Sequence, residues 1–408
     1  MTLPELSESA RKTLAALLTL GPSSRPQLSA WTDLSKQTIS IAVEELVAEE
    51  LIEPTSVHQG RIGRAASVYD LGSRSGWLLG VDFGSTHIRL AATSLAGEVL
   101  KEEDVAVSAP VNTANADFTE DAHAAIVAFI ERVSADGRRL LAACVALSRS
   151  VPTLRDWNQV PGDETLPGDL QRILGGLGIP EDAAFYAENN VNCAALGELR
   201  RGAGREESDF AYLQVGVGIG AGIVSEARLV RGAEGQAGEL RYLPSPLHPE
   251  EYVSAEDALD AAGMIDHFDT VRGADEAPAA AVEDIIERAA RGSHSAAQVL
   301  DRQADGVAFL VAALVAVGNP AKVILGGGIG QAPAIGDRVA DRVRRMGLAV
   351  ELEPGVLRDS ATVAGAATLA REKALDELVG PTLGFAITRR HREWVENPTA
   401  GDDGAVVA

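Results

Sequence analysis

Residues 187–198 read AENNVNCAALGE and gather Glu188, Asn189, Asn190 and Asn192 at the mouth of a helical pattern. A carboxylate in such a place can take a proton during a reaction, whereas a carboxamide only donates and accepts hydrogen bonds. The run therefore separates two chemistries, general-base catalysis if an Asp stood among the amides and polar recognition as it is. Asn is also a favoured helix N-cap, and NNVNCAALGELR is equally accounted for by capping.

Three glycine turns offer a second chemistry. They are Asp82-Phe83-Gly84-Ser85-Thr86, Gly216-Val217-Gly218-Ile219-Gly220, and Gly326-Gly327-Gly328-Ile329-Gly330 after the apolar run Lys322 to Leu325. Glycine lets backbone N–H groups crowd toward an anion, and an Asp such as Asp82 can hold magnesium. One such turn is also what any tight hairpin needs, so the weight lies in three of them occurring in order. Arg149 and Arg155, in SRSVPTLRDW, could hold an anion or simply be solvated.

The elements that must position these groups are legible from patterning. WLLGVDFGSTHIRLAATSLAGEVLKEEDV reads as strand, glycine turn, strand, turn at Ala96-Gly97, strand, and FAYLQVGVGIGAGIVSEARLVRG from Phe210 repeats that plan. Two copies of one β-meander, each followed by helices, imply a duplicated α/β architecture. With 408 residues and 46% hydrophobic content the chain can bury two or three cores. Its net charge of −23 excludes binding of a polyanion by the molecule as a whole, so any nucleic-acid contact falls to a small, less acidic module. Two cysteines, Cys144 and Cys193, provide neither a disulfide framework nor a multi-cysteine zinc site and fit a reducing cytoplasm. No apolar run approaches the roughly 18 residues of a membrane span, so no membrane partner is expected.

That module is the N-terminal segment. Ala10, Leu14, Leu17 and Leu18 recur at helical spacing, Gly21-Pro22 stops the helix, and Ser24-Arg25-Pro26 opens a second one. After Thr32-Asp33, LSKQTISIAVEELVAEELI places Ile39, Val43, Leu46 and Val47 on one apolar stripe, while Ser35, Lys36, Gln37, Thr38 and Ser40 make its start polar. Glu53 to Leu71 reads as a two-stranded wing with GRIGRAA at its tip. Helix, turn, helix and wing together point to double-stranded DNA, with Arg25, Ser35, Lys36, Gln37, Thr38, Ser40, Arg61 and Arg64 as contacts. A small helical bundle with a solvated polar face is the competing reading. Seven basic residues oppose nine acidic ones over residues 1–75, so affinity is expected to depend on two copies reading a palindromic operator. LGSRSG at residues 71–76 ends the module.

From about residue 10 to 371 this ordered series resembles the ROK family, which joins sugar kinases and transcriptional repressors on an actin-like ATPase fold. The fold so implied is an N-terminal winged helix-turn-helix over residues 1–74, then a duplicated, ribonuclease H-like α/β domain for effector binding and oligomerisation over 75–385. Residues 386–408 are expected to be a flexible tail. By resemblance, Asp82, Gly84 and Thr86 match the first phosphate motif, Gly216, Gly218 and Gly220 the second, and Gly327 and Gly328 the adenosine-side motif. Asn189, Asn190, Glu239, Tyr242 and Glu250 fall at the positions that hold the sugar.

The departures set the expected function. Asn190 stands where family kinases place the Asp that accepts the proton of the attacking sugar hydroxyl, Val217 replaces a hydroxyl residue, and His87 stands where Lys is common. After Gly238-Glu239-Leu240 the family continues with His and a three-cysteine zinc loop; this chain has Tyr242, no cysteine, and only five residues before His248, so no zinc or other cofactor is expected. The expectation is a DNA-binding repressor, a homodimer or homotetramer, whose kinase-like domain is inactive and senses a sugar or sugar-like effector. The alternatives are a sugar kinase with a fused DNA module and a DNA-binding scaffold without a ligand.

Overall fold

Ser7 and Ser35 start helices in the same way, each hydroxyl accepting a backbone N–H three residues on, from Ala10 and Thr38. The helices are α1 (Glu8–Leu20) and α3 (Lys36–Ala48), with α2 (Arg25–Thr32) between them. The computed structural model describes residues 3–58, 66–84, 87–106, 116–151, 177–384 and 387. These fall into two compact units, the first within Met1–Val145, Asp156–Ala187 and Ala366–Ala408, the second within Ala146–Arg155 and Glu188–Gly365.

In the first unit, α1 to α3 bury Leu14, Leu17, Leu28, Ile39, Val43 and Leu46 against one another. Val47, assigned to that stripe by its spacing, is 40% exposed, and Ala42 takes its place in the core. Asp33 closes α2 in the left-handed region, which turns the chain into α3. The expected two strands, β2 (Ile52–His58) and β3 (Ala66–Leu71), are joined by a third, β1 (Ser23–Ser24), giving the antiparallel order β1-β3-β2. Arg61 and Arg64 lie outside the described residues.

The two meanders are present and have the same topology. One sheet runs β6-β5-β4-β7-β8, from β4 (Trp77–Phe83), β5 (His87–Ser94), β6 (Val99–Ala106), β7 (Leu140–Leu147) and β8 (Ala184–Asn189). The other runs β11-β10-β9-β12-β13, from β9 (Phe210–Val215), β10 (Ile219–Ser225), β11 (Arg228–Val230), β12 (Lys322–Gly326) and β13 (Glu351–Pro354). In each, the first strand of the meander is the inner one. In the second sheet β9 pairs in parallel with β12, as β12 does with β13. Strands so enclosed read as nearly continuous apolar runs, and β7 is buried at every position.

Helix α5 (Asn190–Arg201) follows β8 directly. It is fixed by backbone contact: a Cβ on Gly365 would lie 1.6 Å from the carbonyl oxygen of Cys193, and one on Gly197 2.3 Å from that of Ala361. Only glycine permits such an approach. A helix α4 (Ala116–Val133) lies between β6 and β7 in the chain, and in the second unit the long helix α9 (His294–Gly318) buries Val299, Leu300, Val307, Leu310, Val311 and Leu314, while α6 (Ala255–Leu259), α7 (Ala261–Val271) and α8 (Val282–Ala290) contribute Leu259, Met264, Phe268 and Ile285 to the same core.

Candidate functional site

At the start of α5 every carboxamide has a defined task. Asn189 is the N-cap: its Oδ1 accepts from Val191 N at 2.8 Å and Asn192 N at 3.1 Å, and its Nδ2 donates to the Arg149 carbonyl at 3.1 Å. An Asp could cap the helix but could not make the last bond, because an ionised carboxylate has no donor. Asn190 donates through Nδ2 to Ser148 Oγ at 3.3 Å. Asn192 is buried and donates to Glu188 Oε1 at 3.0 Å.

Glu188 is itself buried, and its charge is met on both oxygens. Oε1 also accepts the Asn189 N–H at 2.9 Å, and Oε2 accepts from Arg231 Nε at 2.6 Å. A buried carboxylate persists only when paired and hydrogen-bonded in this way. The Glu188–Arg231 pair thus anchors the turn that presents Asn189 and Asn190.

Glu239 follows a glycine whose conformation is forced. Gly238 has φ +86°, and a Cβ there would meet the Ala221 carbonyl oxygen at 1.8 Å. The Gly238 carbonyl accepts from Ala221 N at 2.8 Å, which stitches this turn to β10. Glu239 Oε1 accepts from Ser150 Oγ at 2.6 Å, and Oε2 lies 3.0 Å from Arg241 Nε. Arg241 also reaches the Tyr242 hydroxyl at 2.9 Å and lies over its ring. Asn189, Asn190 and Glu239 are therefore all tied to the one segment Ser148-Arg149-Ser150, which gathers two carboxamides and a carboxylate. Tyr242 adjoins them through Arg241 and is exposed.

Glu250 is placed differently. The chain from Leu243 to Ala255 doubles back through bonds from Ser245 N to Val253 O and from Ala255 N to Leu243 O, and Glu250 is exposed within that loop. It has no hydrogen bond or ion pair among the described residues. In the same loop His248 Nε2 lies 3.0 Å from Arg302 Nη2 on α9. A guanidinium beside the imidazole is no neighbour for a metal ion, and among the described residues no group of three or more His, Cys, Asp or Glu side chains could hold one. His267 on α7 is held below the ordinary imidazole range by burial, then by the charges of Arg302 and His248.

Two of the three glycine turns meet. A Cβ on Gly216 would stand 3.4 Å from Gly328 N, so the turn between β9 and β10 lies against the one that follows β12. In the first turn, Gly84 N donates to the His87 carbonyl at 2.9 Å, and buried Asp82 faces Arg89 across the hairpin at 3.6 Å. Thr86 and Arg155 lie outside the described residues. The sequence reading missed Ser148, Ser150, Arg231 and Arg241. None belongs to a spaced motif, although the paired serines of SRS were a usable signal.

In the N-terminal module, Lys36 and Gln37 are exposed at the first turn of α3 and their side chains have no partner among the described residues. Ser35 and Thr38 hydroxyls bond each other at 2.8 Å, and Ser40 Oγ donates to the Lys36 carbonyl. Arg25 lies over the Tyr69 ring, 4.8 Å from its centre. Ile41, one turn beyond Gln37 on the same face, is 57% exposed, an apolar position that polarity-based reading passed over.

The duplicated α/β body is of the actin-like ATPase type, and its sequence identifies it further. The chain belongs to the ROK family, whose pattern matches residues 78–373. It is 26% identical over 336 residues to the xylose repressor of Caldicellulosiruptor bescii, covering 74% of this chain and 78% of that one. Among solved structures it resembles a ROK family transcriptional regulator, a homolog of the E. coli MLC protein, with TM-score 0.68, 22% identity, and coverage of 93% of this chain and 99% of the other. A ROK family glucokinase from Streptomyces griseus, in complex with glucose and AMPPNP, matches with TM-score 0.56 and 23% identity over 73% of this chain and all of the other.

Proposed function

We propose that this chain is a DNA-binding transcriptional repressor that responds to a sugar, and that its ROK body no longer transfers phosphate. The observation that carries the reading is the start of α3, where Lys36 and Gln37 are exposed and, among the described residues, unpartnered at a capped helix end, in a chain similar over most of its length to a xylose repressor. The three helices and three-stranded sheet of residues 8–71 are read as a winged helix-turn-helix. Its α3 enters the major groove with Ser35, Lys36, Gln37, Thr38 and Ser40 toward bases and phosphates, Ile41 suits a thymine methyl, and Arg25, Arg61 and Arg64 contact the backbone. Two copies on a homodimer, or four on a homotetramer, then read a palindromic operator.

Sugar recognition is assigned to Asn189, Asn190, Glu239, Tyr242 and Glu250, whose donors and acceptors match a polyol. Catalysis is absent on this reading because Asn190 supplies no general base, a contribution typically worth about 10²–10⁴-fold. No zinc is assigned, since His248 faces a guanidinium. The turns at Asp82, Gly84 and Thr86, at Gly216, Gly218 and Gly220, and at Gly327 and Gly328 are remnants of phosphate grips.

Fluorescence anisotropy with duplexes recovered by genomic mapping tests the repressor reading. Specific binding that a pentose or hexose weakens is expected, whereas binding indifferent to every sugar would leave a DNA-binding scaffold. ADP release with ATP, magnesium and a sugar panel tests the loss of transfer. Turnover in the usual enzyme range of about 1–10³ per second would refute it. Elemental analysis finding about one tightly held zinc per chain would refute the assignment of no metal.

A further inference from the structure

A carboxylate already occupies the second glycine turn. Glu256 Oε2 accepts the backbone N–H of Ile219 at 3.1 Å, and a Cβ on Gly218 would lie 3.3 Å from the same oxygen. The neighbouring Gly216 N–H turns inward to the Gly218 carbonyl at 3.2 Å, and the Gly216 carbonyl accepts from Ala261 N at 2.8 Å. Two of the N–H groups that a glycine turn would aim at a phosphate are therefore spent, one on the turn itself and one on an anion supplied by the chain.

Glu256 is held there by its surroundings. It sits in the first turn of α6, which Ser254 caps by accepting from Asp257 N at 3.0 Å, and Ala255 N is bonded to the Leu243 carbonyl at 2.7 Å. Asp260, which caps α7, is pushed above the ordinary carboxylate range by burial first and then by the charges of Glu256 and Asp257, so the ground beside the turn is negative. A phosphoanion arriving at Gly216–Gly220 meets like charge and a donor already taken.

We propose that Glu256 is an internal stand-in for phosphate, filling the anion place of the Gly216–Gly220 turn and closing it to nucleotide and other phosphoanions. The proposal rests on the loss of phosphate transfer argued above and adds the residue that enforces it, independently of Asn190. Removing the charge reopens the turn.

The test is isothermal titration of the full-length protein, wild type, Glu256→Gln and Glu256→Ala, with tripolyphosphate and with magnesium ATP. Wild type is expected to bind neither measurably, and at least one variant to gain binding of about tenfold or more, which corresponds to about 1.4 kcal/mol. Hydrogen exchange of the Ile219 amide should quicken in Glu256→Ala. Equal binding by all three proteins overturns the proposal, as does a folded pair of variants that gains nothing, or an Ile219 amide whose exchange does not change. Sugar-dependent ADP release by wild type would instead sink the loss-of-transfer reading. Equal tripolyphosphate binding without any ADP release removes Glu256 alone.

Discussion

Two helix starts in this chain are built alike and partnered differently. At α3, Ser35 caps the helix and the next two side chains, Lys36 and Gln37, point to solvent without partners among the described residues. At α5, Asn189 caps the helix, and Glu188, Asn190 and Asn192 around it are bonded to Arg231, Ser148 and one another. Side chains tied into the fold cannot reorient for a large partner, but they hold a fixed pattern of donors and acceptors that suits a small ligand. Exposed ones cost nothing to redirect and suit the long surface of a duplex. The helix start alone does not distinguish the two settings; its neighbours do.

The contrast breaks most visibly at the ion pair. Arg231→Ala leaves the Glu188 carboxylate buried without its cation and is expected to cost about 3 kcal/mol in urea unfolding, while operator binding by the folded protein persists. If unfolding is unchanged, the pair does not anchor α5. The caps come next. Asn189→Ala should cost about 1–2 kcal/mol, since both a cap and the bond to the Arg149 carbonyl are lost, and Ser35→Ala about 1 kcal/mol, measured by the same unfolding transition. Asn189→Ala should also abolish stabilisation by a sugar in a thermal-shift assay, whereas Ser35→Ala should leave it.

The outer surface should show the reverse balance. Lys36→Ala and Gln37→Ala are expected to change stability by less than about 0.5 kcal/mol. Lys36→Ala should nonetheless flatten the salt dependence of operator binding by roughly one unit of slope, and Gln37→Ala should alter which sequence is preferred. Operator binding indifferent to both would remove α3 from the interface. The smallest expected effect is a pH dependence. The imidazole of His267 is held below its ordinary range by burial and then by the charges of Arg302 and His248, so the unfolded chain takes up a proton more readily than the folded one. Stability present above about pH 6.5 is therefore lost as pH falls below it, and His267→Gln should flatten that slope in unfolding measured from pH 7 to pH 5.

Much of the fold was legible because its rules are local. Alternating apolar runs broken by glycines gave both meanders and β12, and helical spacing gave the presence of α1 and α3. Val47 was misassigned because spacing cannot tell which edge of a stripe packs inward, and there the small Ala42 packs instead. The two-residue strand β1 was invisible, since its only signal is a partner strand at Val68 and Tyr69. At the site, the residue types at positions 188–192 stand out by themselves and Glu239 by resemblance, but their partners do not.

By itself the sequence determined where chain segments turn, alternate and cap, and therefore the duplicated frame, the N-terminal module and the amide in place of an acid at position 190. Those follow from backbone sterics, periodicity and side-chain chemistry within a few residues. Only the tertiary structure decided that Glu188 meets Arg231, that Ser150 meets Glu239, and that Glu256 reaches Ile219, pairs 43, 89 and 37 residues apart. Such pairings form when the sheet and its helices close over a common core, and the charge or donor that each group meets is set by that closure, which no local spacing encodes.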